Sequence, residues 1–378
     1  MPVVDPESIS AYIRALDSPY EREELFRKYL AMPYQVVNDS PTIKHYTEWS
    51  NFEKLNLNLR ERKSSINTPI AEGYETYQVV NNVLLRGEVR DGIKCGIVRP
   101  EDHKLAALVL SSSRVISIRS GGKFFIYNSC EEGLFCPVAV EVKVPEGETA
   151  DVVYYSRSIG RAMTGGVISL EVPKGSSLSF SMIGDGHNSF DYTFAKGRVE
   201  GEISSSLFSA GYSTGHMEYR VELEEEAIAK FSAKALGLDN NNVSLLANVN
   251  HAGKRSSSNG ILKAVASGSS YTVIRGDAVI GENALDASTT IIGKALIVGE
   301  EAKAVVAPML EVKTGKIITA KHSASASKVN DDLIFYLQSR GFDRRSAEGL
   351  IIRGFLTDEG DNELIRKLVE AAIAGMGY

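Results

Sequence analysis

His322 is a side chain whose type could hold a metal. It stands in Lys321-His322-Ser323-Ala324, and a neutral imidazole is a competent iron ligand. The same ring would serve as a hydrogen-bonded turn residue at the end of a sheet, with Lys321 a solvated charge beside it. His251 reads as a structural cap at a strand end. Cys95, Cys130 and Cys136 form no Cys-x-x-Cys, and an odd, sparse set is not a disulfide framework. The six-residue spacing of the last two favours buried small hydrophobes over metal ligands. Cys95, in a strand-like run, reads as core. Free thiols fit a reducing compartment.

Phosphate chemistry lacks its parts. Gly315-Lys316 is followed by Ile317 and Gly122-Lys123 by Phe124, so neither supplies the hydroxyl that a P-loop places on magnesium. Gly184-Asp-Gly186-His-Asn-Ser189 approaches a dinucleotide fingerprint, but residues 190–194 read as strand where the phosphate needs a helix N-terminus. The sequence contains no His-Glu-x-x-His and no Gly-x-Ser-x-Gly. Asp185 and Asp191 are the one carboxylate pair a polysaccharide lyase or hydrolase could use. Such an enzyme would be exported, and MPVVDPES shows no basic-then-apolar leader.

Three zones would position these residues. Residues 1–76 open helically: Asp5-Pro6 is an N-cap with proline behind it, and Ile9, Tyr12, Ile13 and Leu16 share a helical face. Ser18-Pro19-Tyr20-Glu21 reads as a capping box before Leu25, Phe26, Tyr29 and Leu30. Residues 32–76 give no assignment. Residues 77–326 alternate at period two. Val243, Leu245, Ala247 and Val249 point one way, as do Ala229, Phe231, Ala233 and Ala235 opposite Lys230, Ser232 and Lys234. Val140 to Gly147 resembles Ile168 to Gly175, 28 positions on, and Tyr219 to Glu226 and Ala295 to Glu301 echo it more loosely. Such self-similarity marks stacked architectures; a β-helix and a sandwich both satisfy it. Residues 327–378 are helical again, with starts at Asn330-Asp331, at Asp343 or Ser346, and at Asp361, and a stop at Gly341. The apolar spacing of Leu364, Ile365, Leu368, Val369, Ala372 and Ile373 predicts a face that packs on the chain's own core or on a partner. The net charge of -6 argues against nucleic acid, and the run Leu105 to Leu110 is too short for a membrane helix. A soluble, cytoplasmic protein is expected.

One ordered series runs from His251 through Ser256-Ser-Ser258, Ala264-Val265, Ser267 and Arg275-Gly276 to Pro308-Met-Leu310-Glu311. Lys321-His322-Ser323-Ala324 follows, then residues 333–341 (LIFYLQSRG), then Gly354-Phe355. This order resembles the C-terminal core of the SufB/SufD family of iron–sulfur cluster assembly proteins, over about a hundred residues. The resemblance implies a mainly β fold: a right-handed parallel β-helix core (77–326) between an N-terminal helical or mixed region (1–76) and a C-terminal helical domain (327–378). It implies a scaffold, not an enzyme, that pairs through its β-helix with a SufB-type subunit or a second copy of itself. It also implies that the terminal helices dock a SufC-type ABC ATPase, for which Phe335, Tyr336, Arg340, Phe342 and Phe355 are the surface candidates. His322 matches the family histidine proposed to bind the nascent Fe–S cluster at the core interface. SufB-type chains flank that histidine with glutamates, where Lys321 and Ser323 stand here. They also carry an essential cysteine at a position matched by Gly293. That departure points to a SufD-like subunit or a SufBD homodimer. A flavin (FAD) accompanies some family complexes, and no residue here places one. The rivals are a left-handed hexapeptide-type acyltransferase, from the six-residue grid of Ile280-Gly281, Ile292-Gly293 and Val298-Gly299, and a structural β-scaffold without metal chemistry.

Overall fold

The computed structural model describes residues 2–35, 46–64, 69, 71–358 and 363–375. Two helices open the chain, α1 (Pro6–Arg14) and α2 (Pro19–Ala31). The strands follow: β1 (Glu75–Val80), β2 (Val83–Arg86), then helix α3 (Lys104–Ser112), β3 (Val115–Ile118), β4 (Gly122–Cys130), β5 (Phe135–Lys143), β6 (Thr149–Ile159), β7 (Met163–Val172), β8 (Ser177–Val199), β9 (Glu202–Leu223), β10 (Ile228–Gly237), β11 (Asn242–His251), β12 (Ser257–Ser267), β13 (Tyr271–Ile280), β14 (Ala287–Val298), β15 (Lys303–Val312) and β16 (Ile317–Lys328). Helices α4 (Asp331–Ser339), α5 (Arg344–Leu356) and α6 (Glu363–Gly375) close it. The expected last helix start, Asp361, lies outside the described residues.

The strands wind into a parallel β-solenoid of about eight turns. One face carries β1, β4, β6, β10, β12, β14 and β16; the other carries β3, β5, β7, β11, β13 and β15; the long β8 and β9 cross the corner and serve both. The 28-residue echo is literally one coil on the next: Val140 lies in register with Ile168, Ile168 with Ala195, Ala195 with Tyr219 and Tyr219 with Ala247. Ala295 to Glu301, expected to belong to this series, begins on the opposite face, in β14. Period-two alternation sends one set of side chains inward, and Val243, Leu245, Ala247, Val249, Ala229, Phe231, Ala233 and Ala235 all lie in the solenoid core. Two faces, and a coil repeat that is 24 residues at Ala195 to Tyr219 and 32 at Tyr271 to Lys303, exclude a hexapeptide repeat.

Most corners turn on a residue in left-handed backbone. Gly160, Asn188, Gly211, Asp239, Gly268 and Gly299 supply it at one corner, Gly147, Gly175, Glu226, Arg255 and Asp286 at the other. Glycine adopts such φ without a Cβ clash, and Asn and Asp tolerate it.

Helices cover both outer faces. On one, α1, α2 and the wholly buried α3 pack on β5, β7 and the second half of β8. Helix α3 contains the run Leu105 to Leu110, which period alone did not mark as a helix. The Arg22 guanidinium, fully buried, donates to the carbonyls of Leu110, Ser111 and Ser113 and so caps its C-terminal end. Asp5 caps α1 as expected. The capping box at Ser18 does not form, because Ser18 sits at φ 51 and makes no cap bond. On the other face α5 and α6 bury Ile352, Leu356, Leu368, Val369, Ala372 and Ile373 over Phe125, Tyr127, Val153, Tyr155, Phe208 and Leu236. The apolar face of the tail is thus spent on the chain's own core.

Candidate functional site: the open end of the solenoid

Among the described residues nothing caps the last coil of the solenoid: β15 pairs only with β13, and β16 only with β14, so within the described sheet each strand leaves one edge of backbone N–H and C=O groups unpaired. The inward positions of this last coil, which deeper in the stack are fully buried, are here only half covered: Ala304, Val306 and Leu310 pack on the core from its rim. Met309, Val312 and Ile318 are exposed around it.

His322 stands on this rim. It lies in register with Ile291, a core residue, so its position belongs to the inward column of the coil, yet it is exposed because no further coil covers it. Its Nδ1 lies 3.0 Å from the Pro308 carbonyl oxygen. A carbonyl only accepts, so Nδ1 carries the proton and the neutral ring keeps its lone pair on Nε2. Gly293 is in register with Ala324, next in the same inward column. A Cβ built there would come 2.5 Å from Val306 Cγ2, so Val306 fills the space a thiol would need.

The five tail residues separate into two groups. Phe335, Tyr336, Arg340 and Phe342 form an exposed patch on α4 and the turn after it, with the Arg340 guanidinium 5.2 Å from the Tyr336 ring centre. Phe335 is 72% exposed and does not stand alone: Leu333, Tyr336 and Phe342 are exposed on the same short stretch. Helix α4 touches α5 and buries only Ile334. Phe355 behaves differently: it packs inward on the solenoid, with Lys263 Nζ 5.7 Å above its ring. It is half-buried, so less of its ring is open to a partner than in the α4 patch.

The remaining chemical candidates lie elsewhere. His251 is buried with Nδ1 on Ser256 Oγ and Nε2 on Ser258 Oγ, and burial pulls its pKa down to about 4. The Cys95 thiol is buried and pushed up to about 12 by desolvation. Cys130 and Cys136 form a disulfide across the corner between β4 and β5, against the expectation of separate thiols: the turn brings their Cα atoms to 5.7 Å. Asp185 accepts from Tyr155 on the outer face, whereas Asp191 lies inside the solenoid and accepts from Thr164 and Thr193, so the two carboxylates do not converge. Among the described residues no group of three metal-binding side chains occurs. Sequence reading passed over the buried cluster in which Trp49 covers His103 and His216 at 4.9 and 4.7 Å and Thr47 bonds His216. These residues come from three distant segments, and only the fold joins them. They fasten the N-terminal segment to the outer face of β8 and β9.

The architecture is that of a parallel β-solenoid with one open rim and helices on its flanks. The family model described as SUF system FeS cluster assembly, SufBD core domain matches residues 125–355, and the chain belongs to that family. It is 34% identical over 98 residues to an iron-sulfur cluster assembly SufBD family protein of Mycobacterium bovis, covering 26% of this chain and 23% of that one. It is 26% identical over 204 residues to a chloroplastic member from Arabidopsis thaliana, covering 51% and 36%. It is 34% identical over 105 residues to a member from Galdieria sulphuraria, covering 28% and 47%. The matched stretch thus spans less than half the length of each relative. Membership places the chain in iron–sulfur cluster assembly. No helix among the described residues is long and apolar enough to cross a membrane.

Proposed function

We propose that this chain is a core scaffold subunit of the Suf assembly machinery, pairing through β15 and β16 and contributing His322 to the place where a nascent cluster is built. The observation that carries the reading is the uncapped last coil with the free Nε2 of His322 on its rim. Two exposed strand edges and half-covered apolar side chains favour closure by another solenoid end. One imidazole does not make a cluster site, so the remaining donors come from the partner. Gly293, closed to a thiol, favours a SufB-type subunit that supplies thiolate; a second copy of this chain would bring only a second imidazole. The cluster is cargo, and no described residue is assigned to a flavin. The exposed patch of Phe335, Tyr336, Arg340 and Phe342 is the surface for a SufC-type ABC ATPase, since this sequence has no P-loop of its own. The free-thiol argument for a reducing compartment rests now on Cys95 alone, and the cytoplasmic location follows the proposed role.

The test is anaerobic co-expression with a SufB-type subunit and a SufC-type ATPase. A complex containing all three chains is expected, with His322→Ala leaving the complex assembled but lowering the iron and sulfide retained by about tenfold or more. Unchanged iron in the His322→Ala complex overturns the ligand role, and a chain that stays monomeric with both partners overturns the scaffold reading.

A further inference from the structure

On the outer face of β10, β12 and β14, Lys234, Lys263 and Lys294 lie in register on successive coils. Adjacent strands are about 4.8 Å apart, and like charges directly opposite repel. Lys294 is exposed, but Lys234 and Lys263 are buried, 3% and 8% accessible, beneath the C-terminal segment. A buried ammonium needs a partner. Asp358 supplies it: its Oδ2 lies 3.1 Å from Lys234 Nζ and accepts from Ser232 Oγ at 2.8 Å, while Oδ1 accepts from Lys263 Nζ. Burial alone would raise the Asp358 carboxyl, but the two lysines and the serine outweigh it and hold it below the usual carboxylate range. Asp358 stands just past α5, which packs on β12 and β14, and before α6, which packs on β8 and β9. It is therefore the pivot between the two helices, and the surroundings of the pivot are apolar: Leu236, Val265, Ile352 and Leu356.

We propose that Asp358 is a reversible latch, seated on the Lys234–Lys263 pair, that sets and releases the position of the C-terminal helices on the solenoid. Apolar side chains at this point would adhere as well or better, because replacing buried ion pairs by packed hydrophobes is often neutral or stabilising. What a charge trio adds is registry: only one seat satisfies it. It also eases opening, because lysines and a carboxylate are well hydrated once parted, whereas apolar groups are not. The latch is a property of this chain by itself and does not require that α4 dock an ATPase.

Hydrogen exchange of the full chain, read by mass spectrometry over α5 and α6, tests it. Asp358→Asn should speed exchange there by about tenfold or more, since it takes the carboxylate charge away from the buried Lys263 ammonium and from the Lys234 seat. The triple variant Asp358→Leu, Lys234→Met, Lys263→Met should restore slow exchange. Exchange of Asp358→Asn within twofold of wild type, as a rough threshold, overturns the proposal, as does a triple variant no better protected than the single one. Should Asp358→Asn fail to fold, the triple variant decides: folded and protected supports the latch, and unfolded shows that these residues build the solenoid itself and overturns it.

Discussion

His322 and Asp191 show how differently two polar residues of one chain are treated by the same stack of strands. Both occupy inward positions, but His322 sits on the last coil and is open to solvent, whereas Asp191 is sealed within the middle coils. Burial raises the Asp191 carboxyl to about 7, with Thr164, Thr193 and Ser156 offsetting part of the shift. Its folded value lies above the unfolded value of about 3.9, so between those values the folded state holds the extra proton. Stability from this group is therefore present at low pH and lost as pH rises through about 7. Asp191→Asn should flatten this part of the profile, so that its advantage over wild type in thermal midpoint is clearly larger at pH 8 than at pH 5. A wild-type protein equally stable at both, relative to the variant, would refute the assignment. His103 acts in the opposite sense, since burial lowers it to about 3 and its contribution fades as pH falls below about 6.5; the Asp191→Asn difference cancels that background. Sequence order sufficed to single out His322, through its run of neighbours. Neither Asp191 nor Asp358 was legible, because what sets their chemistry is burial by strands or helices far away in the chain.

The element that repeats is a corner as much as a strand. Gly175 turns one coil at φ 77, with open space where a Cβ would stand, so Gly175→Ala meets strain without collision. A loss of about 1 kcal/mol is expected, read as a shift in denaturant midpoint at unchanged slope. A gain in stability would show that this corner does not hold left-handed backbone in solution. Glu226, Arg255 and Asp286 hold the same corner with side chains attached, and their ion pairs, Arg255 with Glu226 and Lys316 with Asp286, are exposed and small in effect. Because the residue type at a corner varies, the repeat was legible in the pair Val140–Gly147 and Ile168–Gly175, where both corners are Pro-x-Gly, and faded afterwards. Helix α3 escaped for another reason. A helix buried on every side has no polar stripe, so its sequence shows a plain apolar run that fits a strand equally well. Arg22, far off in α2, is the residue that ends it.

At the scale of the molecule, the solenoid is a platform clothed on both faces. Deleting residues 327–378 would uncover Phe125, Tyr127, Phe208 and their neighbours, each worth about 1.5–3 kcal/mol of burial, so a truncated core should aggregate and would report little on docking. Substitution on the overhanging α4 avoids this. Phe335→Ala with Tyr336→Ala is expected to leave the melting temperature within a few degrees, as exposed residues usually do, and to abolish co-purification of a SufC-type ATPase. Retention of the ATPase by the folded double variant would remove α4 from the docking surface. The three zones of composition foretold strands between helices, but period two fits a sandwich as well as a coil. What distinguishes them is which strand follows which in register, and that is a property of pairing between residues as far apart as Ala195 and Tyr219 or Tyr271 and Lys303, beyond the reach of local pattern.

Stacked coils hold one another only by nearest-neighbour contact, and this has a consequence for timing. A coil with a neighbour on one side alone is held by half the cohesion of those within, so local opening should begin at the end that bears His322 and run inward. A protein built this way keeps its chemical edge loose while it is single and firms it when a second body abuts. An unstable cargo would then find a finished seat only after the two halves had met.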